Sequence, residues 1–239
     1  MSLLGDAAIA MWHDIAPEIA SEFEDWHSHE HMPERLRIPG FLRGSRWTAL
    51  SGGSRYFIMY EIQTLDTVTS KAYTERLNNP TPWSRKMFAH FRNMTRSPCR
   101  AVGSFGAGLG SALLTVRLSP RHGEENRLGD WLVRVALPEL AARPGIVGAH
   151  LLAADRSVAQ QPTEEQRLRG ADQTADWVLL VAGYDADSIT GLPDRELRDQ
   201  ALAEHGASPE QTAATYALAF ALTDIDLCSP DRTSEIGSS

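Results

Sequence analysis

Apolar residues fall along this chain in short runs whose spacing alternates between strand-like and helix-like. Ala7 to Asp14 is a short apolar run and predicts a strand. From Glu18 to about Leu36 the spacing is helical, with Ile19, Phe23, Trp26 and Glu30 on one line. Acidic residues fill the first turn of that helix, where its dipole favours them, and Pro39-Gly40 ends it. Phe41 to Leu50 predicts a second strand and Ser51-Gly52-Gly53 a turn. Tyr56 to Ile62 is a third strand, rich in aromatic and β-branched residues. Thr67 to about Leu77 and Trp83 to Phe91 are helical, interrupted by Asn78-Asn79-Pro80, and Cys99 to Phe105 is a fourth strand.

The order β-α-β-β-α-β is the ferredoxin-like arrangement, and it returns in the second half. Strands are expected at Ala112 to Leu118, Ile146 to Ala153, Trp177 to Tyr184 and Thr215 to Leu222, with helices at Leu128 to Ala142 and Asp194 to Glu204. Identities repeat as well. Asp25-Trp26, Pro33-Glu34 and Pro39-Gly40 return as Asp130-Trp131, Pro138-Glu139 and Pro144-Gly145, each 105 residues later. That period is far too long for a solenoid and reads as a duplicated domain. The expected boundaries are 1–106 for the first module, 107–228 for the second, and 229–239 for a polar, disordered tail. The second module carries a polar insert at 155–175, read as a mobile surface loop. A four-stranded sheet with helices on one face needs its other apolar face covered. The expected fold is therefore α+β: two ferredoxin-like modules whose antiparallel sheets face each other as an intrachain α+β barrel.

Composition narrows the classes of function. Apolar residues make up 42% of the 239, enough for a real core. No apolar run is long enough to cross a membrane as a helix, and Met1 to Asp6 does not read as a signal peptide. The net charge of −8 argues against nucleic-acid binding. Residues 1–106 hold 12 Lys+Arg and 11 Asp+Glu, whereas 107–239 hold 11 and 20, so the acidity sits in the second half. Cys99 and Cys228 cannot form a disulfide framework, which suits a cytoplasmic protein, and each reads as an apolar thiol, not a nucleophile. Gly103, Gly106, Gly108 and Gly110 lead into a strand, so they read as a linker and not as a phosphate loop. No G-x-S-x-G elbow is present.

Phe23-Glu24-Asp25-Trp26, His31-Met32-Pro33, Pro39-Gly40-Phe41 and Arg46-Trp47, taken together, resemble the EthD-like branch of the dimeric α+β barrel superfamily. That family has an aromatic on its first helix, an H-x-P step, a P-G turn and a basic–aromatic pair on the next strand. The resemblance implies small, often aromatic or hydrophobic ligands held in a cleft inside the barrel. Superfamily members include monooxygenases without metal or flavin, polyketide cyclases, lactone isomerases and haem-degrading enzymes. Fold alone does not fix which.

The repeat separates architecture from candidate chemistry. Trp26 and Pro33 have counterparts in Trp131 and Pro138, so they belong to the module, and a proline so deep in a helix predicts a kink or break. His27 and His31 are replaced in the second half by Leu132 and Ala136. The two histidines lie four apart on one helix face, whereas His29 points elsewhere. His31 is the expected proton-transfer group, with His27 and His13, at the end of the first strand, as further catalytic candidates. Arg46, Tyr60 and Trp26 are candidate ligand-binding residues. His27-x-x-x-His31 with His13 also has metal-ligand spacing, but it is not the zincin pattern, and no metal or cofactor is expected. The expected function is a small-molecule enzyme of the monooxygenase, isomerase or cyclase type. The alternatives are a non-catalytic small-ligand-binding protein and a histidine-based metal or haem site. The expected partner is a small hydrophobic or aromatic ligand, with no nucleic acid and no membrane. Homo-oligomerisation stays open.

Overall fold

Successive side chains of a strand point to opposite faces, and here the two faces meet different partners. The structure, a computed structural model, describes residues 3–156, 163–170 and 172–228. The first half contains β1 (Ala7–Ile15), α1 (Ala20–Trp26), α2 (Met32–Leu36), β2 (Phe41–Ser51), β3 (Tyr56–Ile62), α3 (Lys71–Asn78), α4 (Pro82–Phe88) and β4 (Phe91–Gly106). The second contains β5 (Ala112–Leu118), α5 (Glu125–Trp131), α6 (Leu137–Ala141), β6 (Ile146–Ala154), α7 (Glu164–Arg169), β7 (Trp177–Gly183), α8 (Ala186–Ile189), α9 (Asp199–Glu204), β8 (Thr212–Thr223) and α10 (Asp224–Cys228).

The eight strands close into an antiparallel barrel in the order β1-β3-β2-β8-β5-β7-β6-β4, and β4 returns to β1. Each half contributes four neighbouring strands in the same order, β4-β1-β3-β2 and β8-β5-β7-β6. Two strands make the joins. β8 pairs with both β2 and β5, and the 16-residue β4 pairs with β1 near its start and β6 near its end. Alternate residues point inward to one apolar cluster that includes Ala10, Trp12, Trp47, Phe57, Leu180 and Tyr216. Trp12 reaches across the lumen, its indole Nε1 donating to Thr115 Oγ1 at 3.4 Å. The outward residues pack under the helices, in separate clusters for the two halves.

Several sequence expectations are corrected. The lumen is filled by large side chains, so the barrel interior does not provide the ligand cleft that the resemblance implied. The helix expected to reach Phe91 ends at Phe88, and the strand expected to start at Cys99 starts at Phe91. Its lumen-facing positions Thr95 and Ser97 are polar, which hides the apolar alternation. Gly103 and Gly106 belong to that same strand and not to a linker. The helix expected from Asp194 begins at Asp199. In the polar insert, Thr163 and Gln166 form a capping box that starts α7, so this part is a helix packed on the protein and not a loose loop. The remainder of the insert at 157–162 and 171, and the tail at 229–239, lie outside the described residues.

Pro33 and Pro138 do not break their helices. Residues His27–His31 and Leu132–Ala136 instead form π-helical turns, each followed directly by the proline-bearing α2 or α6. The amide of Met32 bonds back to the carbonyl of His27, and that of Leu137 to Leu132, five residues away. One extra residue in the turn lets the chain pass a residue that has no N–H to donate.

α2 lies so close to the sheet that β2 needs glycine beneath it. A Cβ on Gly44 would stand 2.7 Å from Met32 Cγ, 2.8 Å from its Sδ and 3.0 Å from the Tyr60 ring. Gly44→Ala is therefore expected to lower the urea unfolding free energy by about 1–3 kcal/mol, the usual cost of overpacking, with far-UV circular dichroism unchanged.

Candidate active site

Outward alternation on β1 places Met11 and His13 under the helices, and the π-turn brings His27 and His31 down onto them. Together with Ile58, Phe88, Phe91, Met94 and Arg169 they line one cavity. It lies between the helices and the outer face of the first half's sheet. Its volume is about 20 Å³, room for one water molecule. The His27 and His31 ring centroids are 5.7 Å apart, and the His31 ring lies on Trp26 at 4.3 Å. His13 is held among Phe91, Phe23 and Tyr56, with centroids at 4.5, 5.2 and 5.5 Å.

All three imidazoles are buried. Desolvation disfavours the charged form of a histidine. It outweighs the attraction of Asp14 and pushes His13 down to about 3. Burial holds His27 well below the usual histidine range, helped by the neighbouring Arg46 guanidinium. Burial does the same to His31, helped by Arg35. The three are therefore neutral at pH 7. His27 is fixed on both sides: Arg46 Nη1 donates to Nδ1 at 3.5 Å, and Nε2 faces the Tyr60 hydroxyl at 3.5 Å. Arginine can only donate, which assigns the proton of His27 to Nε2. His13 and His31 differ, because Nδ1 of each is buried without a partner.

The other candidates do not line the cavity. Arg46 and Tyr60 face the helices, not the lumen, and sit behind His27. Arg46 also donates to the Glu24 carbonyl and the Ser28 hydroxyl. Trp26 is the platform under His31, and its Nε1 donates to Glu30 and Ser84 at 3.1 and 3.2 Å. His29 is exposed, with Nδ1 2.9 Å from the Asp25 carbonyl oxygen. Cys99 is buried, which pushes its thiol up to about 12, and Cys228 is exposed. In the second half Leu132 and Ala136 are absorbed into the apolar core.

Sequence reasoning missed the wall supplied by the insert. α7 brings Arg169 to the cavity and Glu165 to Arg35, and the Arg35–Glu165 ion pair is buried. Arg169 is itself held by Asp172 at 2.7 Å and by Glu165 at 3.6 Å. Nearby, Arg96 Nη2 donates to the Tyr73 hydroxyl at 3.0 Å. The Thr163-x-x-Gln166 capping signal with Glu165 and Arg169 one turn apart was visible in the sequence. Its destination, a site in the other half, was not.

The histidine set fits neither of the bound groups considered from the sequence. Among the described residues, no three His, Cys, Asp or Glu side chains converge as a metal would require. A cavity with room for one water cannot take a haem.

Fold and site together define a ferredoxin-like α+β barrel with a helix-covered cavity on its outer face. Among solved structures, an anthrone oxidase-like protein matches at TM-score 0.64 and 11% identity, over 94% of this chain and 96% of that one. A provisionally named monooxygenase from Lactobacillus acidophilus matches at 0.59 and 7%, over 91% and 96%. Another, from Fusobacterium nucleatum, matches at 0.58 and 9%, over 92% and 96%. At such identities the likeness is one of fold. No family model and no curated protein sequence matches the chain. Among the described residues no helix is long and apolar enough to cross a membrane.

Two outcomes follow for stability. Each buried histidine binds a proton more readily unfolded, near pH 6.5, than folded. Stability is therefore full above that value and falls as pH drops through the window toward about 3 for His13. Urea titrations at pH 7.5 and 5 should show a loss of about 2 kcal/mol per buried neutral histidine, and His13→Phe should remove one such contribution. Glu165→Gln leaves Arg35 buried without its carboxylate and should cost about 3–5 kcal/mol at pH 7.5, read as a lower urea midpoint.

Proposed function

We propose that the protein is a small-molecule enzyme that moves a proton on a small hydrophobic or aromatic compound, admitted to the histidine cavity when the helices that close it to the size of one water move outward from the sheet. The observation that carries this reading is that three neutral, buried imidazoles line one largely apolar cavity, two of them with an unpartnered Nδ1. Converging polar groups in an apolar cavity favour catalysis over simple binding.

His31 is the proton-transfer group in this reading. Its Nδ1 takes the proton of a weakly acidic O–H or activated C–H of the bound compound. Burial opposes a lone imidazolium, but the transfer makes an imidazolium and a substrate anion together, so the net charge of the cavity does not change. Arg35, which lowers the proton affinity of His31, favours the anion through the same field. His27, held by Arg46 and Tyr60, orients the second ring of the pair, and Trp26 fixes the plane of the first. An anion made this way suits an oxygenase, an isomerase or a cyclase. The EthD-like motif and the oxidase and monooxygenase names of the structural neighbours support an oxidative member of that group.

A tandem origin is part of the proposal. The 105-residue offset that relates the Asp-Trp, Pro-Glu and Pro-Gly pairs also relates the two π-turns, which supports duplication of one module. The first copy then keeps the site, and the second lends it α7.

The test is turnover of a panel of small phenols and aromatic ketones, followed by oxygen uptake and product mass spectrometry. His31→Gln should lower kcat by about 10²–10⁴ with the fold intact, because Ala136 stands at the matching place of the other half. His29→Ala should leave kcat unchanged. A substrate turned over by His31→Gln at the wild-type rate would make this histidine structural.

A further inference from the structure

The barrel has a second polar feature, at the end where β1 and β5 finish and β7 and β8 begin. Strand register fixes its orientation. Arg117 on β5 stands opposite Val178, which faces the lumen, and Thr95 on β4 stands opposite Trp12, which does too. Arg117 therefore enters the mouth of the barrel from inside. Its guanidinium lies 5.2 Å from the Trp12 ring centroid, and Nη1 donates to Thr95 Oγ1 at 3.2 Å. The ring contact continues from Trp12 to Phe57 at 4.8 Å and from Phe57 to Tyr216 at 5.8 Å.

What this guanidinium lacks is a counter-charge. Among the described residues no carboxylate lies within ion-pair distance of it. Burial lowers its pKa, and the Tyr216 phenol is the group acting against that. A partly desolvated cation without a counter-charge is costly. Two further groups at this end are unsatisfied: the hydroxyl of fully buried Tyr216, and Gln211 Oε1. Arg117 and Gln211 share a cleft of about 370 Å³ with Thr95, Ser119, Gln173 and Thr212. The cleft's two acids do not neutralise Arg117. Asp176 is held by Arg156 and Ser119, and Glu210 is exposed.

We propose that this mouth is a binding site, separate from the histidine cavity, for a small carboxylate that also carries a hydroxyl group. The carboxylate would take the Arg117 fork, which matches its geometry, and the hydroxyl would donate to Gln211 Oε1, a buried oxygen that a turn of the side chain would bring into the cleft. A single guanidinium beside two acidic side chains suits a monoanion better than a phosphate dianion. The site stands on charge and unsatisfied hydrogen bonds alone and is independent of the function proposed for the histidines.

The probe is glycolate, with acetate and inorganic phosphate as companions, measured by isothermal titration and by the shift in Tm at millimolar ligand. Glycolate should bind saturably and raise Tm, acetate should bind more weakly, and phosphate weakest. Arg117→Gln should weaken glycolate by about tenfold to a hundredfold, the loss of a charged hydrogen bond, without lowering Tm in the absence of ligand. Gln211→Leu should remove the preference for glycolate over acetate, and His31→Gln should bind glycolate as wild type does. If Arg117→Gln does not fold, Gln211→Leu decides alone. Equal glycolate affinity in Arg117→Gln and wild type, an unchanged preference in Gln211→Leu, or phosphate bound more tightly than either carboxylate would overturn the proposal.

Discussion

A sheet edge exposes a row of backbone N–H and C=O groups that must be paired somewhere. In this protein the pairing is done within the chain. β8 bonds to β2 on one side and β5 on the other, and β4 begins on β1 and ends on β6. With both joins made, no strand of the ring is left at an edge, and the inner face of each four-stranded sheet becomes the wall of a lumen. Everything else follows from that closure. Trp12, Trp47, Phe57 and Tyr216 fill the lumen, so any cavity near the histidines must form on the outer face, under the helices.

The cavity itself is governed by desolvation. Three imidazoles in an apolar setting can be tolerated only while neutral, and the arginines around them reinforce that state. Those arginines in turn need anions. Arg35 and Arg169 find theirs in Glu165 and Asp172, both supplied by the acidic second half. The uneven charge of the two halves, unexplained in the linear sequence, corresponds at this point to a contact between them.

Much of the fold was legible because its signals are local. The apolar runs of β3 and β5, the first rich in aromatic and β-branched residues, match the observed strand limits, and the Asp-Trp, Pro-Glu and Pro-Gly pairs recur in the second half. The failures were non-local. Thr95 and Ser97 look like loop residues until the lumen around them is known. The π-turn leaves no signature beyond the proline it accommodates. His13, His27 and His31 could be picked out, because His13 ends the first strand and the other two have apolar counterparts in Leu132 and Ala136. That their cavity lies outside the barrel, and that Arg169 arrives from 130 or more positions away, depends on packing that no window of the sequence contains.

A barrel built from two identical chains repeats every site by symmetry, and its paired sites can influence each other's affinity. Here a single chain makes the whole ring, and Leu132 and Ala136 occupy the place that would hold the second pair of histidines. On the function proposed for the histidines, a ligand would meet one such set of imidazoles per chain among the described residues, so its saturation within a barrel would be hyperbolic, without homotropic cooperativity.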